Sequence, residues 1–587
     1  MFRLIMRSLR KKDVALLVLM IAMTVVQVGL ELKMPDYMSK ITVLVQSEDG
    51  TMNEILRNGG LMLACAFGSM LAACVVKYIT SVISASFLQH TSKKIFDKTE
   101  SLSAHEIKRF STSSLITRTT NDATQVQSLI SSGAQMIVRA PLTAVWAIIK
   151  IMNKSWQWSA ATAVGVVILL ATIITVTSVV VPRFKIIQKL TDKINNVARE
   201  NLIGIRVVRA FNAEKYQEHK FDRTNADLTK TQIFNQKVLS VMSPMMYMVM
   251  YCLTLVIYFI GAHLINDADY TAKVGLYGDM VVFSSYAMQV IFSFLMLAMV
   301  FMMVPRAQVS AERINEVLDS TNDIADGGAT DDDKTETGTV EFKHVSFKYP
   351  DAEDYLLQDI SFKANQGETV AFIGSTGSGK STLINLVPRF YDATDGDILV
   401  DGINVKSYNL DSLYNLIGYV PQKAVLFNDT IANNVAYGDN GKGKIAKAEI
   451  TAAIRVAQAE DFVEKMPKQY NSHIAQGGTN VSGGQKQRLA IARAIARKPE
   501  IFIFDDAFSA LDYKTDAELR KALKEYVGKA TNLIVAQRIG TIMHADKIIV
   551  LDKGKCVGIG THAELMRHCE VYKQIALSQL TKEELNV

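Results

Sequence analysis

The first half of the chain alternates long apolar runs with longer polar stretches. Six runs lie near residues 14–34, 59–84, 134–152, 157–181, 240–265 and 274–304. Each is long enough, or within a residue of it, to cross a bilayer, which takes about 20 predominantly apolar residues. Two intervening stretches, 85–133 and 182–239, are long and rich in Lys and Arg, whereas 153–156 and 266–273 are short. Basic residues gather on cytoplasmic loops. The alternation therefore predicts six spanning helices, with both termini, the two long stretches and Arg306 on the cytoplasmic side. Structureless loops of such length are uncommon, so the long stretches are expected to be helical extensions of the spans. The amino end, MFRLIMRSLRKKD, is basic and amphipathic, with no small-residue cleavage site after it. It reads as an interfacial helix rather than a removable signal.

The pattern changes after residue 318. The segment DSTNDIADGGATDDDKTETG, 319–338, is acidic and Gly/Thr-rich without apolar periodicity, and reads as a linker. From TVEFKHVSFKYP onward, short β-rich runs alternate with helical patterns. That predicts an α/β domain over 339–587 with a largely parallel sheet, behind a membrane domain over 1–318.

Composition sharpens this picture only in places. Hydrophobic residues make up 49% of the chain, which suits a membrane half, and a net charge of +6 makes no case for nucleic acid. Cys65, Cys74, Cys252, Cys556 and Cys569 show no C-x-x-C spacing, so they read as free thiols or apolar fillers. Glu31, Lys33 and Asp36 in the first span and Lys77 in the second are ionisable groups at membrane depth. Such groups either serve a substrate pathway or pair structurally, and the i,i+3 spacing of Lys33 and Asp36 points to a mutual pair. Methionines and aromatics crowd VMSPMMYMVMYCL (241–253) and SSYAMQVIFSFLMLAMVFMMVP (284–305). They serve either as packing or as an adaptable apolar cavity for an amphipathic molecule. Lys77, Met288, Phe292, Met296 and Met299 are the candidate pathway residues.

The chemistry lies in the second half. GSTGSGKST, Gly374 to Thr382, follows the strand-like ETVAFI and fits the P-loop pattern G-x-x-x-x-G-K-[ST]. Its members are Gly374, Ser375, Thr376, Gly377, Ser378, Gly379, Lys380, Ser381 and Thr382. Glycines let backbone N–H groups curl around phosphates, Lys380 would reach the β- and γ-phosphates, and Ser381 would ligate Mg²⁺. IFIFD ends a buried strand on Asp505, a second Mg²⁺ ligand. VSGGQKQR (481–488) places Ser482, Gly483, Gly484 and Gln485 at the start of another helix, a second phosphate-binding arrangement. One domain has little use for both at a single γ-phosphate, so a head-to-tail dimer is expected.

This combination resembles the ATP-binding cassette (ABC) exporters over essentially the whole chain. The resemblance implies an all-α transmembrane domain of six helices with long cytoplasmic extensions. An α/β P-loop (RecA-like) ABC ATPase domain with a helical subdomain would follow. ATP and Mg²⁺ are the implied cofactors. Tyr349 matches the aromatic that stacks on adenine, Gln422 the glutamine that senses Mg²⁺, and Asp512 in SALD the loop between the dimer's two sites. The segments SSLITRTTNDA (113–123) and ENLIGIRVVRAFNAE (200–214) look like the intracellular loop tips of that family. Either they are solvated hairpins, or they dock on a cytoplasmic domain and transmit motion.

Two positions depart from the family. Asp506 stands where a glutamate polarises the attacking water, and Gln537 where a switch histidine is usual. The P-loop and signature are intact. The departures resemble those of heterodimeric bacterial exporters with one degenerate site. That implies a partner subunit carrying the glutamate and histidine, a small amphipathic cargo and a place in the cytoplasmic membrane.

Overall fold

The computed structural model describes residues 1–46, 51–152, 156–438, 441–581 and 585. Most of the expected short connection at 153–156 lies outside them. Two compact units result, one of Met1–Glu100 with Ser111–Ser320, the other of Ser101–Phe110 with Thr321–Val587.

In the first unit, six helices among the described residues are long and apolar enough to span a membrane. They are Lys11–Gln46, Met52–Glu100, Thr112–Met152, Trp156–Ile203, Glu214–Asp267 and Ala272–Leu318. The long basic stretches are indeed helical, continuing the spans. Val28, Leu32, Trp158, Phe283 and Tyr286 belong to the core of this unit. The Trp158 indole donates to the Ile257 carbonyl at 3.2 Å, so burying this polar ring leaves no donor unmet.

The charges in the first span find partners that its own sequence did not suggest. Asp36 does not pair with Lys33. It accepts from Lys150 Nζ and from the Tyr286 hydroxyl, both at 2.7 Å. Glu31 accepts from Arg139 at 2.8 and 3.0 Å, Gln27 at 3.0 Å and Ser69 at 3.1 Å. The i,i+3 argument failed because a neighbouring helix supplies closer cations. A charge in low dielectric takes the partner that satisfies most of its lone pairs.

The amino end is helical over Phe2–Ser8, with Arg3 and Arg7 ion-paired to Asp319 at 3.3 and 2.7 Å. All five cysteines are free.

In the second unit, a six-stranded sheet runs in the order Lys555–Gly560, Lys547–Asp552, Thr369–Gly374, Thr531–Val535, Ile501–Asp505 and Ile417–Val420. All neighbours are parallel except the first pair. A second, antiparallel sheet holds Leu357–Ala364, Val340–Phe347, Asp395–Val400 and Ile403–Asn404. Helices Ile431–Val435, Lys447–Val456 and Gly483–Ala496 make up the helical subdomain and contribute Ile431, Ile454 and Leu489 to the larger core, which they share with the six-stranded sheet.

The acidic segment is not a free tether. Gly327 and Ala329 donate backbone bonds to the Tyr408 and Ser407 carbonyls at 2.9 Å, and Lys334 joins Asp331 to Glu500. Beside it, Asp401 is fully buried and accepts from the Thr339 N–H at 2.8 Å. Burial pushes this carboxyl up to about 6, Glu500 adds to the shift, and the Thr339 bond opposes it. A folded-state value above the unfolded one means the native state holds a proton that the unfolded chain has released. Stability of this unit should therefore fall as pH rises from about 4 to about 6. Asp401→Asn keeps an acceptor for Thr339 and should flatten that slope in thermal melts taken across the window.

Candidate functional site

The parallel order gives the site its frame. Val535 lies in register with both Phe372 and Asp505, so the ends of three strands meet at one edge of the sheet. Ligands bind at such carboxyl edges. From the first strand comes the loop Gly374–Gly379, leading into helix Lys380–Asn385. Gly377 and Gly379 hold φ of +84° and +93°, in the left-handed region. A Cβ on Gly374 would stand 2.0 Å from the Leu551 carbonyl oxygen. Only glycine fits there, which is why the loop can present N–H groups in a ring.

Lys380 folds over this loop, donating to the carbonyls of Gly374 at 2.9 Å and Ser375 at 2.8 Å. Burial holds its ammonium below the usual lysine range, against the pull of Asp506 and Asp505. Ser381 donates to Asp505 Oδ1 at 2.7 Å. Burial raises the Asp505 carboxyl, the Ser381 bond opposes that, and Asp506 adds to it. The hydroxyl of Ser381 and the carboxylate of Asp505 are hard oxygen donors in direct contact, and Gln422 is tied through its amide N–H to the next residue, Asp506, at 3.2 Å. The two oxygen donors fit a Mg²⁺ ion that retains several waters.

Asp506 follows in a left-handed turn, φ +49°, with its N–H on the Val535 carbonyl at 3.0 Å. One oxygen, Oδ2, accepts both the Gln537 amide at 2.8 Å and the Gln422 amide at 3.2 Å. The two positions that depart from the family pattern are therefore bonded to each other.

Tyr349 donates to or accepts from Thr382 Oγ1 at 3.0 Å, fixing the ring against the end of the P-loop. Tyr391 meets it edge-on at 5.2 Å. The ammonium of Lys108 lies 5.6 Å from the Tyr349 ring centre and 5.7 Å from that of Tyr391. Lys108 was not expected from sequence. It sits on the short helix Ala104–Phe110, which belongs to this unit and packs Ala104 on its core. The first loop tip is therefore at 101–110 and not at 113–123, which forms the start of the next long helix. The missed signal was Ser103-x-x-Glu106, whose serine Oγ accepts the Glu106 N–H. The second tip is where it was expected: Ile205–Ala210 is a short helix between two long ones.

Ser482 caps helix Gly483–Ala496 in a reciprocal box with Gln485, at 3.3 and 2.9 Å. Ser482 and Gly483 are exposed, and a Cβ on Gly483 would meet nothing within 4 Å. Among the described residues no hydrogen bond ties this turn to Gly374–Thr382. Asp512 caps the next long helix through Thr515 at 3.0 and 2.8 Å. Of the pathway candidates, Met288, Phe292, Met296 and Met299 share one face of the last spanning helix at spacings of four, four and three. Phe292 and Met299 are exposed and the other two half-buried. Lys77 is exposed on the second span.

Residues 17–294 match the ABC transporter transmembrane region, and residues 357–509 match the ABC transporter domain. The chain belongs to the ABC transporter family. An uncharacterized ABC transporter ATP-binding protein of Mycobacterium tuberculosis is 38% identical over 534 residues, 90% of each chain. An ATP-dependent lipid A-core flippase of Pseudomonas aeruginosa is 33% identical over 506 residues, 86% of this chain and 82% of its own. A bacterial Atm1-family ABC exporter solved with ATP bound has the same fold. Its TM-score is 0.81 at 24% identity, over 96% of this chain and 98% of that one. This ABC transporter chain is thus an integral membrane protein with an ATP-binding cassette fused behind its spans.

Proposed function

We propose that this chain is one half of a two-chain bacterial exporter whose own ATP site holds nucleotide while the partner's site turns it over. The observation that carries this reading is the pair of amides on Asp506. A general base needs a lone pair aimed at the proton it takes. Here Gln537 and Gln422 both donate into Oδ2, so the orientation of the carboxylate is set by two amides, neither of which can take a proton onward from it. Gln537 can hydrogen-bond but cannot accept a proton as imidazole does. Aspartate also stops one methylene short of glutamate, and an ångström of misplacement costs on the order of 100-fold.

Nucleotide binding is intact in this reading. The loop Gly374–Thr382 takes the phosphates, Lys380 swings from its carbonyl partners toward them, and Tyr349 carries the adenine. Ser381, Asp505 and Gln422 hold Mg²⁺, which when bound neutralises phosphate charge. The turn of Ser482, Gly483, Gly484 and Gln485, exposed at Ser482 and Gly483, completes the partner's site, with Asp512 in the loop between the two. The exposed apolar residues Leu202, Ile203, Val207 and Phe211 at the second tip support docking on that partner.

The cargo is an amphipathic, lipid-like compound, exported by alternating access. Support comes from the relatives named lipid A-core flippases and from the exposed Met- and Phe-bearing face of the last span. The chain sits in the bacterial cytoplasmic membrane with both termini and the cassette inside.

ATPase assays on the purified chain, alone and with a candidate partner, test this. The chain alone should be nearly inert and the partner should restore turnover. The double variant Asp506→Glu, Gln537→His should add at least about tenfold at this chain's own site. Brisk turnover by the wild-type chain as a homodimer would show Asp506 to be a working base and sink the reading.

A further inference from the structure

Three metal-ligating side chains meet at the short helix Ala104–Phe110. A ring nitrogen of His105, a carboxylate oxygen of Glu106 and one of Asp323 lie within 4.8 Å of one another. His105 Nε2 stands 4.0 Å from Asp323 Oδ2. In a tetrahedral zinc site with bonds of about 2.0–2.1 Å, ligand atoms lie roughly 3.4 Å apart, so small rotamer changes close the set.

The charge balance favours a cation. The Glu106 side chain is only 6% exposed, and the ion pair it makes is a 3.4 Å contact from Arg109, itself 60% exposed. A buried carboxylate needs closer compensation than that, and Asp323 adds a second negative charge to the same spot. Mg²⁺ and Ca²⁺ prefer six or more oxygens, whereas a nitrogen with two carboxylate oxygens suits zinc and its neighbours in the first transition row.

We propose that His105, Glu106 and Asp323 form a regulatory site for a zinc-class divalent ion. The ion clips helix Ala104–Phe110 to the segment at Asn322–Asp323. Asn322 already braces the same two segments, accepting from the Ser103 N–H at 3.0 Å and donating to the Ser101 carbonyl at 2.8 Å. The same helix carries Lys108 over the Tyr349 and Tyr391 rings. A bound ion therefore fixes the position of Lys108 beside the aromatic wall and acts as a brake on movement of this helix.

The test uses the full-length protein in nanodiscs, freed of metal by chelation, with Zn²⁺ titrated calorimetrically and Co²⁺ followed by absorption. The proposal expects one site of micromolar affinity and a Co²⁺ spectrum without thiolate charge-transfer bands, which excludes the five cysteines. Hydrogen exchange over 101–110 and 321–323 should slow when Zn²⁺ is added. His105→Ala and Asp323→Asn alter partly exposed side chains and should each weaken binding about 10-fold or more, since even outer-shell losses cost that much. Both should keep the wild-type melting temperature in chelator. Absence of micromolar binding by the wild type, or binding unchanged in both variants, overturns the proposal. These readouts do not depend on turnover, so they stand or fall separately from the asymmetric ATP sites.

Discussion

Ser482→Arg should cut ATP turnover of the assembled two-chain transporter by about 100-fold or more, while Lys380→Ala should cost only a few-fold. The contrast follows from where each residue acts in the proposed dimer. Ser482 and Gly483, at the start of the helix, are exposed, and among the described residues no hydrogen bond ties them to this chain's own P-loop. In the dimer they face the γ-phosphate at the partner's competent site, where charge develops during transfer. Removing one preorganised donor from such a place typically costs about 100- to 1,000-fold in rate. An arginine there adds bulk at a position where a Cβ on the next residue, Gly483, would have met only open space. Lys380, by contrast, serves the site that holds nucleotide, so losing it loosens ATP without touching the hydrolytic step next door. Steady-state ATPase with each variant paired to a wild-type partner measures both effects. Equal loss from the two variants would mean that both sites hydrolyse, and the asymmetry would fall. The measurement also separates binding from chemistry: Lys380→Ala should weaken retention of labelled nucleotide, whereas Ser482→Arg should leave retention at this chain's own P-loop unchanged.

Much of this arrangement could be read from sequence because local chemistry dictates it. Six apolar runs have no other stable use than spanning, and GSTGSGKST after a buried strand leaves little freedom in what the backbone does. Gly374 illustrates this: its φ of 158° is an extended conformation, and what demands glycine is the Leu551 carbonyl, which only the fold brings near. The pairing of Gln537 with Asp506 was legible as two anomalies, but their direct bond was not. It depends on the parallel register that sets Val535 beside Asp505. The first loop tip was misplaced because apolar and polar positions continue smoothly through 101–123. The turn is set by short-range capping at Ser103 and Ser111, not by a change of period. The network of Asp401, Lys334 and Glu500 had no sequence signal. Its members are 67 to 166 positions apart, and such contacts are fixed only by tertiary packing.

Arg139→Leu should be the most damaging single change in the membrane half, for reasons that the misread Lys33–Asp36 pair makes clear. A buried ion pair is weak evidence for stability, yet breaking one from one side is costly, about 3–5 kcal/mol, because the remaining charge has nowhere to go. Glu31 would keep Gln27 and Ser69 as donors but lose the Arg139 Nη2 that bridges both of its oxygens and neutralises it. Water cannot replace that partner inside a bilayer, and a lone carboxylate at such depth is expensive. A loss of that size lowers the folded-to-unfolded ratio by roughly 150- to 5,000-fold, so little monodisperse protein should survive detergent extraction. Lys150→Met should be milder, since Asp36 keeps the Tyr286 hydroxyl at 2.7 Å and is more exposed than Glu31. The control is the paired change Glu31→Gln, Arg139→Gln, which removes both charges and keeps hydrogen bonding possible. Chromatographic recovery and thermal unfolding in detergent should place the pair close to wild type and Arg139→Leu far below. If the single variant were as stable as the pair, Glu31 would be reaching water along an open pathway. Its contact with Arg139 would then serve the cargo route and not the packing of the spans.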